Sequence, residues 1–394
     1  MRLDKNQILR SSLGVLCALV LAACGDSDTD TTAGSDSDGS ESTNGTTAGG
    51  CADEDPTSAP LDESACQADA NDYMPTVNGS ADDVWPACEN DDGTYHPFEQ
   101  PSAAARTEAF EEIMVIFNAG LTPTDFTAAR DQYSLPQGLE SRLSRREDVH
   151  YPNIPESEQD AGVEFDKQCT VLELREQYPD RCAGPMKIQP IINQAFDDGQ
   201  NGVGDPMVNA AKVEGAITWF LYLSVIKEAT FSCPPADYSG DCDAAWGYYG
   251  GGQQAGGAIG FGGFVKQISS QANQRVFDGL AAMRCWRNGY MSTEDGDVND
   301  PLYGYGKAQL DQANNHALAL VVRERMADQF GLCGSEADAN WAFVQTAGQG
   351  LIKPAEDTDA GNAGIYTSLL ANDNPSGDEI MGGIAALDAL FPCP

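Results

Sequence analysis

The segment Asn209–Phe231 constrains the fold more than any other part of the chain. It reads NAAKVEGAITWFLYLSVIKEATF and is apolar around most of its helical circumference. Its longest uncharged run, Gly215–Ile226, has twelve residues, which is well short of the ~20 that a membrane-spanning helix needs. A helix that is apolar on all sides is buried among other elements. The segment therefore predicts a helix at the centre of a helical bundle.

Further helices are predicted where apolar side chains recur at helical spacing. One runs from Ser102 to a stop at Gly120, and a second is capped at Thr122 and runs through Tyr133. Other periodic stretches cover residues 140–148, 273–287, 307–330 and 378–391. Alternating strand patterns are scarce. We expect an all-α fold, a disulfide-stabilised helical bundle over residues 101–394, with two sub-bundles as the alternative for so long a domain.

The N-terminus carries an export signal. A basic start and the apolar run Leu13–Leu21 lead into Leu-Ala-Ala directly before Cys24, which is the lipobox pattern of bacterial lipoproteins. We predict that residues 1–23 are a signal peptide and that Cys24 receives palmitate-type acyl chains, which hold the protein on a membrane. Gly25 in place of Asp favours the outer membrane. The alternatives are an ordinary signal peptide with an incidental cysteine, or an uncleaved anchor.

Two segments separate the lipobox from the bundle. Residues 24–50 contain no apolar residue larger than Ala after Cys24 and are wholly acidic in charge, so they predict a disordered tether. Residues 51–100 are rich in Cys, Asp and Pro and predict a loop-dominated segment pinned by disulfides. The net charge of −39 excludes nucleic acid as a partner and suits cations such as metal ions. No protein partner is indicated.

The cysteine count indicates a disulfide framework. Of the twelve cysteines, Cys17 leaves with the signal peptide and Cys24 is lipidated, so ten remain. An even number in an exported chain predicts five disulfides. The absence of a CxxC motif disfavours a zinc knuckle or a thioredoxin-like site. Short spacing favours the pairs Cys169–Cys182 and Cys233–Cys242, and the remaining connectivity is open.

Polar residues inside apolar helices are the candidate metal ligands. Glu214 and Glu228 are fourteen residues apart, so both lie near one face of the central helix. Asp278 and His316 are likewise polar residues within apolar stretches of later helices. If Glu214, Asp278 and His316 converge, they would suit a first-row transition metal. The alternative is that each glutamate pairs with an arginine, such as Arg275, Arg284, Arg287 or Arg323.

Three other stretches carry functional alternatives. Residues 144–151 (SRREDVHY) are either a site or an ion-paired helix end, and the glycine-rich stretch 246–264 is either a binding loop or a connector. Residues 294–300 place oxygens as an EF-hand does but lack its Gly and Glu, so calcium is a weaker candidate than iron. No Gly-x-Ser-x-Gly or His-Glu-x-x-His motif occurs, and we predict a protein without enzymatic activity.

Four stretches, 122–152, 212–228, 242–252 and 275–287, resemble the family of extracellular iron-assimilation proteins of algae and bacteria, which algae induce under iron deficiency or high carbon dioxide. The resemblance covers about residues 100–394 and implies a secreted, Cys-rich helical protein that assists iron uptake. It supplies no ligand set. The Gly-x-His-x-x-Glu motif of the imelysin-like bundles, which are also tied to iron, is absent.

Two functions are therefore expected. The first is a lipid-anchored, extracytoplasmic metal-binding protein that assists iron uptake. The alternative is a non-catalytic surface module that binds a protein or glycan partner through residues 246–264.

Overall fold

A computed structural model describes most of the chain after the N-terminal region. The described residues are 66–80, 83–99, 101–135, 138–233, 239–291 and 300–393. The signal peptide, Cys24, the acidic tether and all but the last residue of the stretch 294–300 lie outside them. Within the described ranges every regular element is helical, which confirms the all-α prediction. None of the helices described there has the length and hydropathy needed to cross a membrane.

The α-helices of the described residues number fourteen. In chain order they are α1 (Ser102–Ala119), α2 (Pro123–Ser134), α3 (Glu140–Leu143), α4 (Leu172–Gln177), α5 (Gln189–Asn201), α6 (Pro206–Lys227), α7 (Ser239–Gly250), α8 (Gly260–Ile268), α9 (Ser270–Met291), α10 (Asp300–Asp328), α11 (Ser335–Ala347), α12 (Ile352–Thr358), α13 (Ala360–Leu370) and α14 (Gly377–Leu390). Two π-helical turns, Gly184–Ile188 and Glu228–Ser232, precede α5 and follow α6.

The helix α6 lies at the centre of the bundle, as its apolar circumference predicts. Every residue from Val213 to Lys227 is buried. The helices α5, α7 and α11 pack directly against α6. At Gly215 a Cβ atom would lie 3.1 Å from the Phe343 carbonyl oxygen of α11. This glycine therefore lets the backbones of α6 and α11 approach closely.

The other long helices complete the bundle around α6. The helices α9 and α10 pack against each other along their length, and α1 packs on α2 and α7. The buried apolar side chains of these helices belong to one continuous core that extends from Tyr73 to Phe391. The long helices therefore share one core, and a second, small cluster contains Ile154, Cys169, Leu174 of α4 and Cys182.

Local sequence signals set the ends of several helices. Thr122 and Asp125 form a reciprocal capping box at the start of α2, and Ser376 and Glu379 form another at the start of α14. The helix expected over residues 140–148 was predicted too long, because α3 ends at Leu143. The chain then turns inward, and its next charged side chains are buried against partners from other elements.

The segment 66–99 has no regular helix in its described part and is held on the bundle by aromatic anchors. Tyr73, Trp85 and Tyr95 are at most 5 % exposed and belong to the main core. Tyr95 also stacks on Trp246 of α7, with ring centroids 4.9 Å apart. An irregular segment thus becomes one wall of the folded domain.

Disulfides tie distant and local parts of the chain. Both pairs predicted from spacing, Cys169–Cys182 and Cys233–Cys242, are present. A third bond joins Cys66 to Cys393 across 327 residues and fastens the irregular segment to the C-terminal end of the bundle. Cys333 is also disulfide-bonded. Among the described cysteines, Cys88 and Cys285 carry free thiols.

Candidate functional site

The four predicted metal ligands do not come together. Cys66, His316 and Cys393 have ligand atoms close enough to share a metal ion. They form the one such set of three His, Cys, Asp or Glu side chains among the described residues. Glu214 and Asp278 do not belong to it. The expectation that Glu214, Asp278 and His316 converge is therefore wrong, and Glu228 also lies elsewhere. Each of the three carboxylates pairs with an arginine instead.

Glu214 pairs with a cationic side chain of α10. Its Oε1 accepts a hydrogen bond of 2.6 Å from Arg325 Nη2, and the Arg325 guanidinium lies 4.4 Å from the ring centroid of Phe343. Burial raises the pKa of Glu214 and Arg325 opposes this rise. Glu214 therefore serves as an ion-pair partner between α6 and α10.

Glu228 is held at the π-helical turn that follows α6. Its Oε1 accepts a hydrogen bond of 2.8 Å from Arg146 Nη1, and Lys227 Nζ lies 4.0 Å from its Oε2. Burial tends to raise the pKa of Glu228, but Lys227 and Arg146 outweigh that effect and lower it to about 2. The glutamate is ionised at any ordinary pH and is saturated with cationic partners.

The stretch 144–151 is ion-paired, which agrees with the second of its two interpretations. It is an irregular segment after α3 and not the end of a helix. Arg181 Nη2 donates to Glu147 Oε2 at 2.7 Å. Asp148 Oδ1 accepts from His150 Nδ1 at 2.7 Å. The His150 ring stacks on Tyr222 of α6, with centroids 5.8 Å apart. These contacts anchor the stretch to the central helix.

His316 has one satisfied and one unsatisfied ring nitrogen. Its Nδ1 lies 2.7 Å from the Phe391 carbonyl oxygen and donates to it, whereas Nε2 is buried and has no hydrogen-bond partner. Burial lowers the pKa of His316, which keeps the imidazole neutral. A nitrogen of this ring lies within 4.8 Å of the Cys66 and Cys393 sulfurs. Both sulfurs are engaged in the disulfide.

Asp278 lies beside a cavity of about 250 Å³ between the irregular segment, the glycine-rich stretch and α9. Its Oδ1 accepts from Gln274 Nε2 at 2.9 Å, and Arg275 Nη1 lies 3.5 Å from its Oδ2. Burial raises the pKa of Asp278. The walls of the cavity are formed by Pro75, Asn90, Gly93, Thr94, Tyr95, Gln254, Ala255, Gly256, Gln274, Phe277, Asp278 and Ala281.

The glycine-rich stretch forms an ordered wall of this cavity. Residues up to Gly250 complete α7, residues from Gly260 onward begin α8, and the turn between them contributes the lining. Gln254 fixes the turn to the irregular segment, because its side chain accepts from Tyr95 N and donates to Tyr95 O, both at 2.9 Å. Asn273 Nδ2 donates to the Ala255 carbonyl at 3.1 Å. The stretch is both a connector and a cavity wall.

Asn90 is a cavity residue that the sequence did not indicate. It is 0 % exposed, and its Oδ1 accepts from His96 N at 2.9 Å. Its Nδ2 is buried without a hydrogen-bond partner. A buried amide donor of this kind is costly unless a partner satisfies it.

Comparison with protein-family models, curated proteins and solved structures finds no match to this chain. The resemblance to iron-assimilation proteins therefore stays a prediction, and the site is interpreted from its own geometry.

The two buried glutamates are expected to give opposite pH dependences of stability. The pKa of Glu228 is about 2 in the folded protein. The stabilisation that ionised Glu228 provides, about 3 kcal/mol, is complete above the pKa of this glutamate in the unfolded chain, which is about 4.5. The stabilisation is lost as the pH falls toward 2. The pKa of Glu214 is raised, so its ionisation destabilises the fold as the pH rises above about 4.5.

Urea unfolding of the wild type, Glu228→Gln and Glu214→Gln between pH 7 and 2.5 tests this expectation. The stability deficit of Glu228→Gln relative to wild type should shrink as the pH falls. The difference between Glu214→Gln and wild type should shift in favour of the variant as the pH rises. Identical pH dependences for the two variants would contradict the assignment.

Proposed function

We propose that this protein is a lipid-anchored, non-catalytic binding protein whose cavity takes a small carbohydrate. The observation that carries the proposal is the cavity itself, where the glycine-rich stretch, the buried carboxylate of Asp278 and the unpartnered amide of Asn90 meet. Of the two functions expected from the sequence, the glycan-binding alternative is the one that this geometry supports better.

The size and rigidity of the cavity suit a small ligand. Its volume of about 250 Å³ lies just below the usual range for ligand sites, which begins at roughly 300 Å³. Its walls are hydrogen-bonded in place by Gln254 and Asn273. A preformed wall lowers the ordering cost of binding. One or two sugar rings are therefore the expected extent of the ligand.

The chemistry of the lining favours a neutral polyhydroxylated molecule. Tyr95 and Phe277 are among the lining residues, and aromatic rings pack against the C–H faces of sugar rings. The Asp278 carboxylate accepts hydrogen bonds and the Asn90 amide donates one, a combination that matches neighbouring hydroxyl groups. Arg275 pairs with both Asp278 and Asp72, so one guanidinium is shared between two carboxylates.

Replacement of Asp278 by asparagine should weaken sugar binding. Loss of a hydrogen bond to a charged group corresponds to about a 10- to 100-fold rise in Kd. Calorimetry and ligand-observed NMR with glucose, galactose, N-acetylglucosamine and their disaccharides would measure it on the purified mature protein. Glu214→Gln is the matched control, because it removes another buried, arginine-paired carboxylate outside the cavity. No saturable binding of any sugar, or equal weakening in both variants, would overturn the proposal.

The lipid anchor is tested separately from the ligand. Lipid attachment requires the lipobox cysteine, so Cys24→Ser should abolish incorporation of radiolabelled palmitate. Gly25→Asp should keep the label and shift the protein toward the inner membrane in a Gram-negative host. Retention of label by Cys24→Ser would exclude this cysteine as the modified residue.

Metal binding is the second candidate function, and one observation favours it. The unpartnered Nε2 of His316 belongs to a buried ring beside two sulfurs, and the Nδ1 contact to a carbonyl is the orienting bond that metal-binding histidines usually make. Two sulfurs and one imidazole suit a thiophilic ion better than the oxygen-rich iron site expected from the sequence. Thiolate ligation also requires that the Cys66–Cys393 disulfide be reduced. The iron-uptake role implied by the resemblance stays a prediction.

Calorimetry with Zn(II) and Fe(II) under anaerobic conditions tests the second candidate. Protein in which thiol mapping shows Cys66 and Cys393 reduced should bind Zn(II) saturably and more tightly than Fe(II), and His316→Gln should weaken binding at least 10-fold. The same protein with the disulfide intact is the control and should not bind at this group. Equal binding by wild type and His316→Gln would place the metal elsewhere.

A further inference from the structure

The two free cysteines of the described residues lie against each other. Cys88 belongs to the irregular segment and is half-buried, whereas Cys285 is buried in α9. The two side chains are neighbours, because each thiol shifts the pKa of the other. Cys285 Sγ also lies 3.9 Å from the Pro86 carbonyl oxygen. Two residues almost 200 positions apart in sequence thus present their sulfurs to one another.

Contacts on both sides of Cys88 hold this arrangement without help from the thiols. Asn288 Nδ2 donates to Glu89 Oε1 at 2.6 Å, and Arg284 Nε lies 3.4 Å from the same oxygen. Asp91 Oδ2 accepts from Cys88 N at 2.8 Å, and Asp91 Oδ1 accepts from Tyr73 OH at 2.7 Å. The irregular segment is therefore docked on α9 before any covalent bond forms, which gives the two sulfurs a high effective concentration.

We propose that Cys88 and Cys285 are joined by a disulfide in the exported protein, and that this bond closes one wall of the Asp278 cavity. The number of cysteines supports the pairing, because an exported chain with ten of them outside the signal peptide and lipobox predicts complete pairing. The other described cysteines are all disulfide-bonded already. Among the residues that the structure describes, no other cysteine is thus available to form a disulfide with Cys88 or Cys285.

The chemistry of the pair supports formation of the bond by thiol–disulfide exchange. The neighbouring Cys285 thiol lowers the pKa of Cys88, and the same contact together with burial raises the pKa of Cys285. Cys88 is therefore the more accessible and more nucleophilic sulfur. Its thiolate attacks a disulfide acceptor, either a small-molecule disulfide or a disulfide oxidoreductase, and displaces one acceptor thiolate as a mixed disulfide forms.

The second step completes the balance of electrons and protons. Cys285 loses its proton and attacks Cys88 Sγ, which releases the second acceptor sulfur as a thiol. The two cysteines lose two electrons and two protons in total, and the acceptor disulfide is reduced to two thiols. The acceptor needs access to Cys88 alone, because the buried Cys285 acts only within the protein.

The bond would also stabilise the cavity wall. This effect on ligand binding rests on the proposed function, whereas the disulfide itself is independent of it. Asn90 lies two residues from Cys88, and its backbone N–H helps to lower the pKa of the Cys88 thiol. A covalent tie at Cys88 fixes the position of Asn90, which is one of the residues that line the cavity. Sugar affinity should therefore fall when the tie is absent, even though neither cysteine lines the cavity.

Mass spectrometry of the non-reduced protein tests the pairing. Full-length protein from the bacterial envelope is alkylated in denaturant and digested without reductant. We expect a cross-linked peptide that contains Cys88 and Cys285, with no alkylation at either residue. Alkylated Cys88 and Cys285, or a link from either to another cysteine, would overturn the proposal. Because this measurement uses the wild type, it does not depend on whether a variant folds.

Variants provide a second, independent measurement. A maleimide–polyethylene glycol gel shift in denaturant should show no labelled thiol in wild type, one in Cys88→Ser or Cys285→Ser, and none in the double variant. Two labelled thiols in wild type would overturn the pairing. Sugar affinity of the double variant is measured in parallel. A confirmed cross-link without any sugar binding would contradict the proposed function but leave the disulfide intact.

Discussion

A charge buried inside an apolar core needs a partner, and this requirement organises the bundle around α6. The helix is buried from Val213 to Lys227, which includes Glu214, and Glu228 just beyond it keeps only 12 % of its side chain exposed. An unpaired buried charge costs several kcal/mol, so α10 must pack in the register that brings Arg325 to Glu214. The segment after α3 must turn inward for the same reason, because Arg146 neutralises Glu228. Two ion pairs thus fix the positions of elements that are far apart in sequence.

The fold was predictable from sequence because its determinants are local. The apolar circumference of the Asn209–Phe231 segment predicted a central helix, and the Thr122 cap predicted the start of α2. The two short-range disulfides followed from spacing alone. Helix periodicity and short loops need no knowledge of the tertiary arrangement, and for that reason these predictions agree with the structure.

The partners of the buried carboxylates were less predictable because they depend on register between helices. Arginine pairing was one of the stated alternatives, yet Arg323 was among the named candidates and Arg325 is the actual partner of Glu214. Two residues correspond to about 200° around a helix, so Arg323 points away and pairs with Asp388. The cavity combines Asn90, Gln254 and Asp278 from three distant segments. Sequence marked the aspartate and the glycine-rich stretch, but no local pattern indicates that they face one another.

The disulfide between Cys66 and Cys393 has a mechanical consequence for the domain. Tension applied at Cys66 acts where the first described residue is cross-linked to Cys393, just beyond the last helix. The load therefore divides between both ends of a closed loop of 327 residues. The helices inside that loop cannot be peeled away one after another from the N-terminus. Such tension would have to displace the bundle as a whole.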